Sequence, residues 1–305
     1  MSTGTTRAVL LALTANGGIA LSKFGVFLLT GSSSLLTEAI HSGADCANQI
    51  LLFIGMRQGE RPPSAKHPLG HGQAAFVASF LVALLLFSVG GLYSLVEGLH
   101  KIRHPEQPHH LGWAVALLLL AMTLEGWSLR GALRAAEAER RGRPLLRYLQ
   151  RSSSTELVVV LAEDIAALLG LVFALAAVLL TLFTGNPVWD GIGSVAIGLL
   201  LIAVAVFVGV EVTSLLMNEA PPLVLRAALR AAVEEDPAVE RVLNLVAVIV
   251  GSDRLMVALQ VQFREQPSGT ALVEAINALE RELHRRFPQI QHLFVEPDAS
   301  RGRPD

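Results

Sequence analysis

Residues 35–49 read LLTEAIHSGADCANQ and place Glu38, His41 and Asp45 inside an apolar segment that is long enough to form a helix. A charged side chain at the centre of a bilayer costs about 3 kcal/mol on insertion scales, so such residues are rare there and indicate function. The segment therefore predicts two things together. It lies in a membrane, and its ionisable residues form part of a site.

The composition of the whole chain agrees with a polytopic membrane protein. Of 305 residues, 52% are hydrophobic and 16% are charged, with a net charge of −2 and one cysteine. The mean hydropathy is +0.52, and soluble domains carry about 25% charged residues. These values exclude a disordered chain, a disulfide-stapled secreted module and a nucleic-acid binder with a basic surface.

Six stretches are long and apolar enough for transmembrane helices, since a bilayer core of about 30 Å needs about 20 apolar residues in a helix. Spans one to six are residues 8–30, 33–56, 74–99, 111–133, 158–184 and 188–217. Most cations of this region follow spans two and four, so these loops and both termini are expected to be cytoplasmic. We expect a multi-pass protein of the plasma or inner membrane. Glycines at 90–91 and 191–198 are expected to let helices approach closely.

The pattern changes after residue 217, where the domain 1–217 is expected to end and a cytosolic domain, 218–305, to begin. Spacing of three and four predicts amphipathic helices, and alternation predicts strands. The helices are expected at 223–235 and 272–287, and the strands at 242–250, 254–263 and 291–295. The order helix, strand, strand, helix, strand predicts a small α+β domain that acts as a lid or dimer module.

His41 and Asp45 lie four residues apart and therefore share one face of a helix. An imidazole and a carboxylate at this spacing can hold one divalent cation, and Asp164 in span five is the natural donor across the gap. Such a ligand set suits zinc, iron or manganese, whereas magnesium and calcium prefer oxygen ligands only. The alternative is a buried His–Asp pair that fixes helix packing. Further carboxylates inside lipid favour the metal site.

The chain resembles a divergent branch of the cation diffusion facilitator, or cation efflux, family. The resemblance rests on TGSSSLLTEAIHSGADCANQ at 30–49, HPLGHG at 67–72 and NPVWDGIGSVAIGLLL at 186–201. It covers nearly the whole chain. It implies six transmembrane helices, a ferredoxin-like C-terminal domain similar to small metallochaperones, and a homodimeric, proton-coupled exporter of zinc, iron, manganese or cobalt.

The resemblance also implies which residues bind the transported cation. His41 and Asp45 match the two family ligands of span two, and Asp164 matches the second ligand of span five. Val160 stands where most members have a histidine or an aspartate. Valine cannot coordinate a metal. The site then has three ligands and water, or it is completed by a neighbouring acid, for which the candidates are Glu38 and Glu163.

His67 and His71 match family positions for a second metal site in the cytosolic loop. Pro68 and Gly70 place them on a loop, so their spacing alone implies no shared face. The alternative is a pair of solvated histidines near the membrane surface.

These features together predict a transporter and not an enzyme. The expected activity is secondary export of a divalent transition-metal cation from the cytosol by proton antiport, with zinc first and iron, manganese or cobalt as alternatives. His41 is the expected coupling group. The cation is substrate, and no prosthetic group is expected. The expected partners are the metal ion, protons, the bilayer and a second copy of the chain. The alternative, motivated by Val160, is a non-transporting metal-binding scaffold or receptor of the same fold.

Overall fold

A computed structural model of the chain describes residues 3–30, 33–105, 111–140, 142, 144–149, 152, 154–265 and 267–299. Within its helices, the side chains of Lys23, Glu38 and His41 are among those outside this description. The chain divides into two units. The first consists of Met1–Glu60 and Ala74–Thr213, and the second of Arg61–Gln73 and Ser214–Asp305.

The described part of the first unit is helical. Its helices are α1 (Thr3–Thr30), α2 (Ser33–Gly59), α3 (Ala74–Leu85), α4 (Tyr93–Arg103), α5 (Leu111–Arg140), the short α6 (Leu145–Leu149), α7 (Thr155–Thr184) and α8 (Val188–Leu216). A π-helical segment, Leu86–Leu92, joins α3 to α4 without a break. Among the described residues, four helices are long and apolar enough to cross a membrane: Ala74–Arg103, Ala114–Arg140, Thr155–Thr184 and Val188–Leu216. They correspond to the predicted spans three to six.

Gly185 and Asn186 set the turn between α7 and α8. Gly185 ends α7 in the left-handed conformation, with φ of 66°, and its N–H donates to the carbonyl of Thr181. Glycine adopts this conformation without the steric cost that a Cβ would add. The side chain of Asn186 then accepts from the N–H of Val188 at 3.1 Å. The backbone thus reverses direction. The carbonyl of Thr181 near the end of α7 and the N–H of Val188 at the start of α8 each have a hydrogen-bond partner.

Glycines bring the backbones of α4 and α8 into direct contact. A Cβ on Gly91, in the π-helical segment, would lie 3.2 Å from the carbonyl oxygen of Gly198, and one on Gly198 would lie 2.8 Å from that of Gly91. Gly98, seven residues after Gly91, and Gly191, seven residues before Gly198, repeat the arrangement, at 2.8 and 2.9 Å. Small residues permit this packing where apolar lipid supplies no hydrophobic drive between helices. The predicted close approach is confirmed.

Two alanine substitutions in α8 test this contact. A methyl group at Gly198 would meet the backbone nitrogen of Leu95 at 2.6 Å, whereas one at Gly209 on the same helix meets nothing within 4 Å. We expect Gly198→Ala to lower the free energy of unfolding by about 1–3 kcal/mol through overpacking. Gly209→Ala should leave it unchanged or raise it by up to about 1 kcal/mol, through helix propensity. Unfolding in detergent micelles measures both, and equal destabilisation would contradict the close approach.

The second unit contains the predicted α+β elements in the predicted order. They are α9 (Leu223–Glu234), β1 (Val239–Gly251), β2 (Arg254–Phe263), α10 (Gly269–Arg286) and β3 (Ile290–Pro297). The sheet order is β1-β2-β3, with β1 and β2 antiparallel and β2 and β3 parallel. Leu229 of α9, Leu259 of β2 and Leu279 and Leu283 of α10 are fully buried. Both helices therefore contribute to an apolar core against the sheet.

The loop 61–73 folds as part of this second unit. A Cβ on Gly72 would lie 2.4 Å from the carbonyl oxygen of Val250 in β1, so the two backbones touch. The carbonyl oxygen of Leu69 lies 3.3 Å from Nε2 of His292 in β3. The loop after α2 is thus fixed to two strands that lie far away in the sequence, which no periodicity in its own residues indicates.

Limited proteolysis tests this attachment. Lys66 is exposed, and it is the trypsin site of the loop, because Arg61 precedes a proline. We expect Gly72→Ala to displace the loop and to raise the rate of cleavage at Lys66 about fivefold, as a cost near 1 kcal/mol implies. Gly269→Ala in the same unit, with nothing within 4 Å of its Cβ, should leave the rate unchanged. Equal rates in the two variants would contradict the docked loop.

Candidate metal-binding site

One face of α2 carries polar residues into the first unit. Asp45 is half-buried, while Asn48 and Gln49, three and four residues further on, are 3% and 0% exposed. This spacing places the three side chains on one side of the helix. A buried amide needs hydrogen-bond partners, since its transfer from water costs about 1–3 kcal/mol in protein mutants when none are available.

Glu163 of α7 provides those partners. Nδ2 of Asn48 donates to Oε1 of Glu163 at 3.1 Å, and Nε2 of Gln49 donates to Oε2 at 2.6 Å. Glu163 itself is 7% exposed. Hydrogen bonds to a charged acceptor are stronger than neutral ones. The carboxylate therefore links span two to span five through both of its oxygens.

Asp164, the next residue, accepts a hydrogen bond from a different helix. The hydroxyl of Ser128 in α5 donates to its Oδ2 at 3.0 Å, and both residues are 1% exposed. Successive residues of an α-helix are rotated by about 100°. Glu163 therefore bonds to α2 while Asp164 bonds to α5, and the two adjacent acids have different hydrogen-bond partners.

The electrostatic surroundings of Glu163 are strongly acidic. Its carboxyl group interacts with those of Asp45, Asp164 and Glu125. Glu125 lies on α5, three residues before Ser128, and is buried. Several negative charges in a low-dielectric interior repel one another, so a cation or protons entering here would be bound favourably.

Sequence patterns did not assign four of these residues to the site, namely Asn48, Gln49, Glu125 and Ser128. A usable signal was present in their spacing. Polar residues recur at a spacing of three or four residues on otherwise apolar helices. Asn48 and Gln49 follow Asp45 in this way on α2, and Ser128 follows Glu125 on α5. Such a polar stripe predicts a buried face directed at another polar face.

The structure describes the other predicted site residues only in part. His41 lies on α2, four residues before Asp45, but its side chain and that of Glu38 lie outside the described residues. Val160 is 0% exposed and gives its turn of α7 an apolar side chain. Within the described chain, no three His, Cys, Asp or Glu residues form a group that could hold a metal ion. The ligand set with His41 therefore stays a prediction.

The two loop histidines are in contact. The ring centroids of His67 and His71 lie 4.6 Å apart, with the ring planes tilted by 57°. A backbone hydrogen bond from Gly70 to the carbonyl of His67, at 3.0 Å, bends the loop so that the rings meet. Nδ1 of His71 is buried and has no hydrogen-bond partner among the described residues. The second metal site at this pair stays a prediction.

Comparison with known proteins identifies the family. Residues 9–217 match the family model of the cation efflux transmembrane domain. The match covers more than half of the chain, which therefore belongs to the cation efflux family. This confirms the family predicted from the motifs. It is a family of membrane transporters, so the chain is classed as an integral membrane transporter and not as an enzyme.

Several curated relatives are similar over most of the chain. The Xenopus laevis protein named proton-coupled zinc antiporter SLC30A9, mitochondrial, is 34% identical over 96% of this chain and 59% of its own length. The human protein of the same name is 31% identical over 96% and 58%. Metal tolerance protein C4 of Arabidopsis thaliana is 35% identical over 66% and 44%. The chain thus spans less than two thirds of the length of these relatives.

A pair of substitutions on α7 tests whether the Asp164 face binds metal. Val160 lies four residues before Asp164 and hence on its face of the helix, whereas the buried Val158 lies about 120° from Asp164 and about 140° from Glu163. We expect Val160→Asp to tighten zinc binding by about tenfold, or about 1.4 kcal/mol, by adding a ligand. Val158→Asp introduces the same buried charge without that gain. Titration of purified protein with zinc measures both, and equal affinities would contradict the assignment.

Proposed function

We propose that the chain is a secondary active transporter that exports a divalent transition-metal cation from the cytosol in exchange for protons, with zinc as its first substrate. The observation that carries the proposal is the buried acidic cluster at Glu163 and Asp164, which meets the polar face of α2 at Asp45. Charged groups inside apolar helices are costly and mark ion pathways. The relatives named as proton-coupled zinc antiporters support zinc and protons as the exchanged ions.

The proposed transport ligands are His41, Asp45 and Asp164, with Glu38 and Glu163 as further candidates. One imidazole and two carboxylates leave zinc an open position for water, as in catalytic zinc sites with three protein ligands. Metal and protons compete for the same ligand atoms, so binding of one expels the other. This competition is the physical basis of the proposed antiport. The alternatives to zinc are iron, manganese and cobalt.

The proposed architecture has six transmembrane helices within 1–217 and a cytosolic ferredoxin-like domain over 218–305. The helices α1 and α2, with 28 and 27 residues, are long enough to add two spans to the four apolar ones, since about 20 residues suffice. Basic loops support cytoplasmic termini. We further propose a homodimer in the plasma or inner membrane, with His67 and His71 as a second metal site.

Transport into inverted membrane vesicles under an imposed pH gradient tests the site. We expect Asp45→Ala and Asp164→Ala each to lower the initial rate of zinc uptake by about tenfold or more, because each removes a ligand. Asp190→Asn is the matched control, since Asp190 forms a partly exposed ion pair with Lys101 at 3.0 Å, and such pairs contribute about 0–1 kcal/mol. An ionophore that collapses the gradient should stop uptake.

Each result has a distinct meaning. Undiminished uptake in both alanine variants would refute the assigned site. Uptake that survives collapse of the gradient would refute proton coupling. A wild-type protein that binds zinc but moves none would favour the second candidate, a non-transporting metal-binding scaffold or receptor of the same fold, which the buried Val160 supports. Competition by iron, manganese and cobalt in the same vesicles ranks the cations.

A further inference from the structure

Both oxygens of the Glu163 carboxylate are occupied by amide donors from α2. Asn48 holds Oε1 at 3.1 Å and Gln49 holds Oε2 at 2.6 Å. A carboxylate only accepts hydrogen bonds when ionised, so the amides must present their nitrogens and turn their oxygens away. Neither Oδ1 of Asn48 nor Oε1 of Gln49 has a hydrogen-bond partner in the part of the chain that is described. Both amides are thus committed to Glu163 alone.

This arrangement sets where Glu163 lies relative to the proposed ligands. Asn48 and Gln49 follow Asp45 by three and four residues, so Glu163 is fixed one turn further along α2. Asp164 is held by Ser128 of α5 instead. Each oxygen of Glu163 keeps a second lone pair, so the restraint is positional: the two amide bonds hold its carboxylate one turn of α2 beyond Asp45, and this position keeps it from joining Asp45 and Asp164 around one cation.

We propose that Asn48 and Gln49 determine cation specificity by holding Glu163 out of the coordination shell. The inference rests on the proposed transport function. With Glu163 restrained, the site offers one imidazole and two carboxylates, which suits four-coordinate zinc with a water. Manganese favours more oxygen ligands. Release of Glu163 would add a carboxylate and shift the preference from zinc toward manganese. The amides are positioning residues and touch no metal.

The test compares zinc with manganese transport by the full chain in reconstituted vesicles. The double variant Asn48→Leu with Gln49→Met removes both donors and keeps side chains of similar shape. We expect its ratio of zinc to manganese kcat/KM to fall about tenfold, the usual scale for loss of a group that orients a metal-site residue. A merely structural role would lower both rates together and leave the ratio unchanged.

Two further variants test whether the change in the zinc-to-manganese ratio depends on Glu163. Adding Glu163→Gln to the double variant should restore the wild-type ratio, because glutamine cannot supply a carboxylate ligand. Asn16→Leu removes another buried amide, on α1, and should leave the ratio at its wild-type value. An unchanged ratio in the double variant would overturn the inference. So would a lowered ratio that Glu163→Gln does not restore.

The experiment also separates this inference from the proposed function. If the wild-type chain moves neither metal, the proposed function fails. Equilibrium competition between zinc and manganese on the purified protein still measures the ratio of the two affinities. If the double variant does not fold, the single variant Gln49→Met, which removes the 2.6 Å bond, takes its place. An unchanged binding ratio in that variant would overturn the inference.

Discussion

The hydrogen bonds from Asn48 and Gln49 to Glu163 are the interaction on which the site depends. A carboxylate buried among apolar helices needs donors, and here α2 supplies one to each oxygen. The same bonds fix the rotation of α2 and α7, because only one face of each helix brings these groups together. Asp45 and Asp164 take their places as a result, the first on the same face of α2 and the second against Ser128 of α5.

The helices of the first unit thus meet by two different kinds of contact. Between α4 and α8, glycines let backbone touch backbone, and this contact has one geometry because no side chain can rearrange. Between α2 and α7, side-chain amides hold a carboxylate, so this contact depends on the rotamers of the side chains involved. A transporter needs both kinds, since some helices must move as one body while others exchange ligands.

Local features of the fold were predictable, and contacts between helices mostly were not. Length and apolarity predicted α7 and α8, and residue spacing predicted the strands and helices of the second unit, because each property belongs to one segment. The contact of Gly91 with Gly198 followed from residue size. The partners of Glu163 did not follow, because no local pattern says which helix faces which. The loop 61–73 contains prolines and glycines, and its contacts are with strands about 180 or more residues away.

That loop changes how the second unit is attached to the first. A C-terminal domain joined by a single linker can swivel about it. Here the chain passes between the units three times, after Glu60, after Gln73 and after Thr213. The connections are therefore one segment at the end of α2, one at the start of α3 and one within α8, so the second unit is continuous with the helix that contains Asp45.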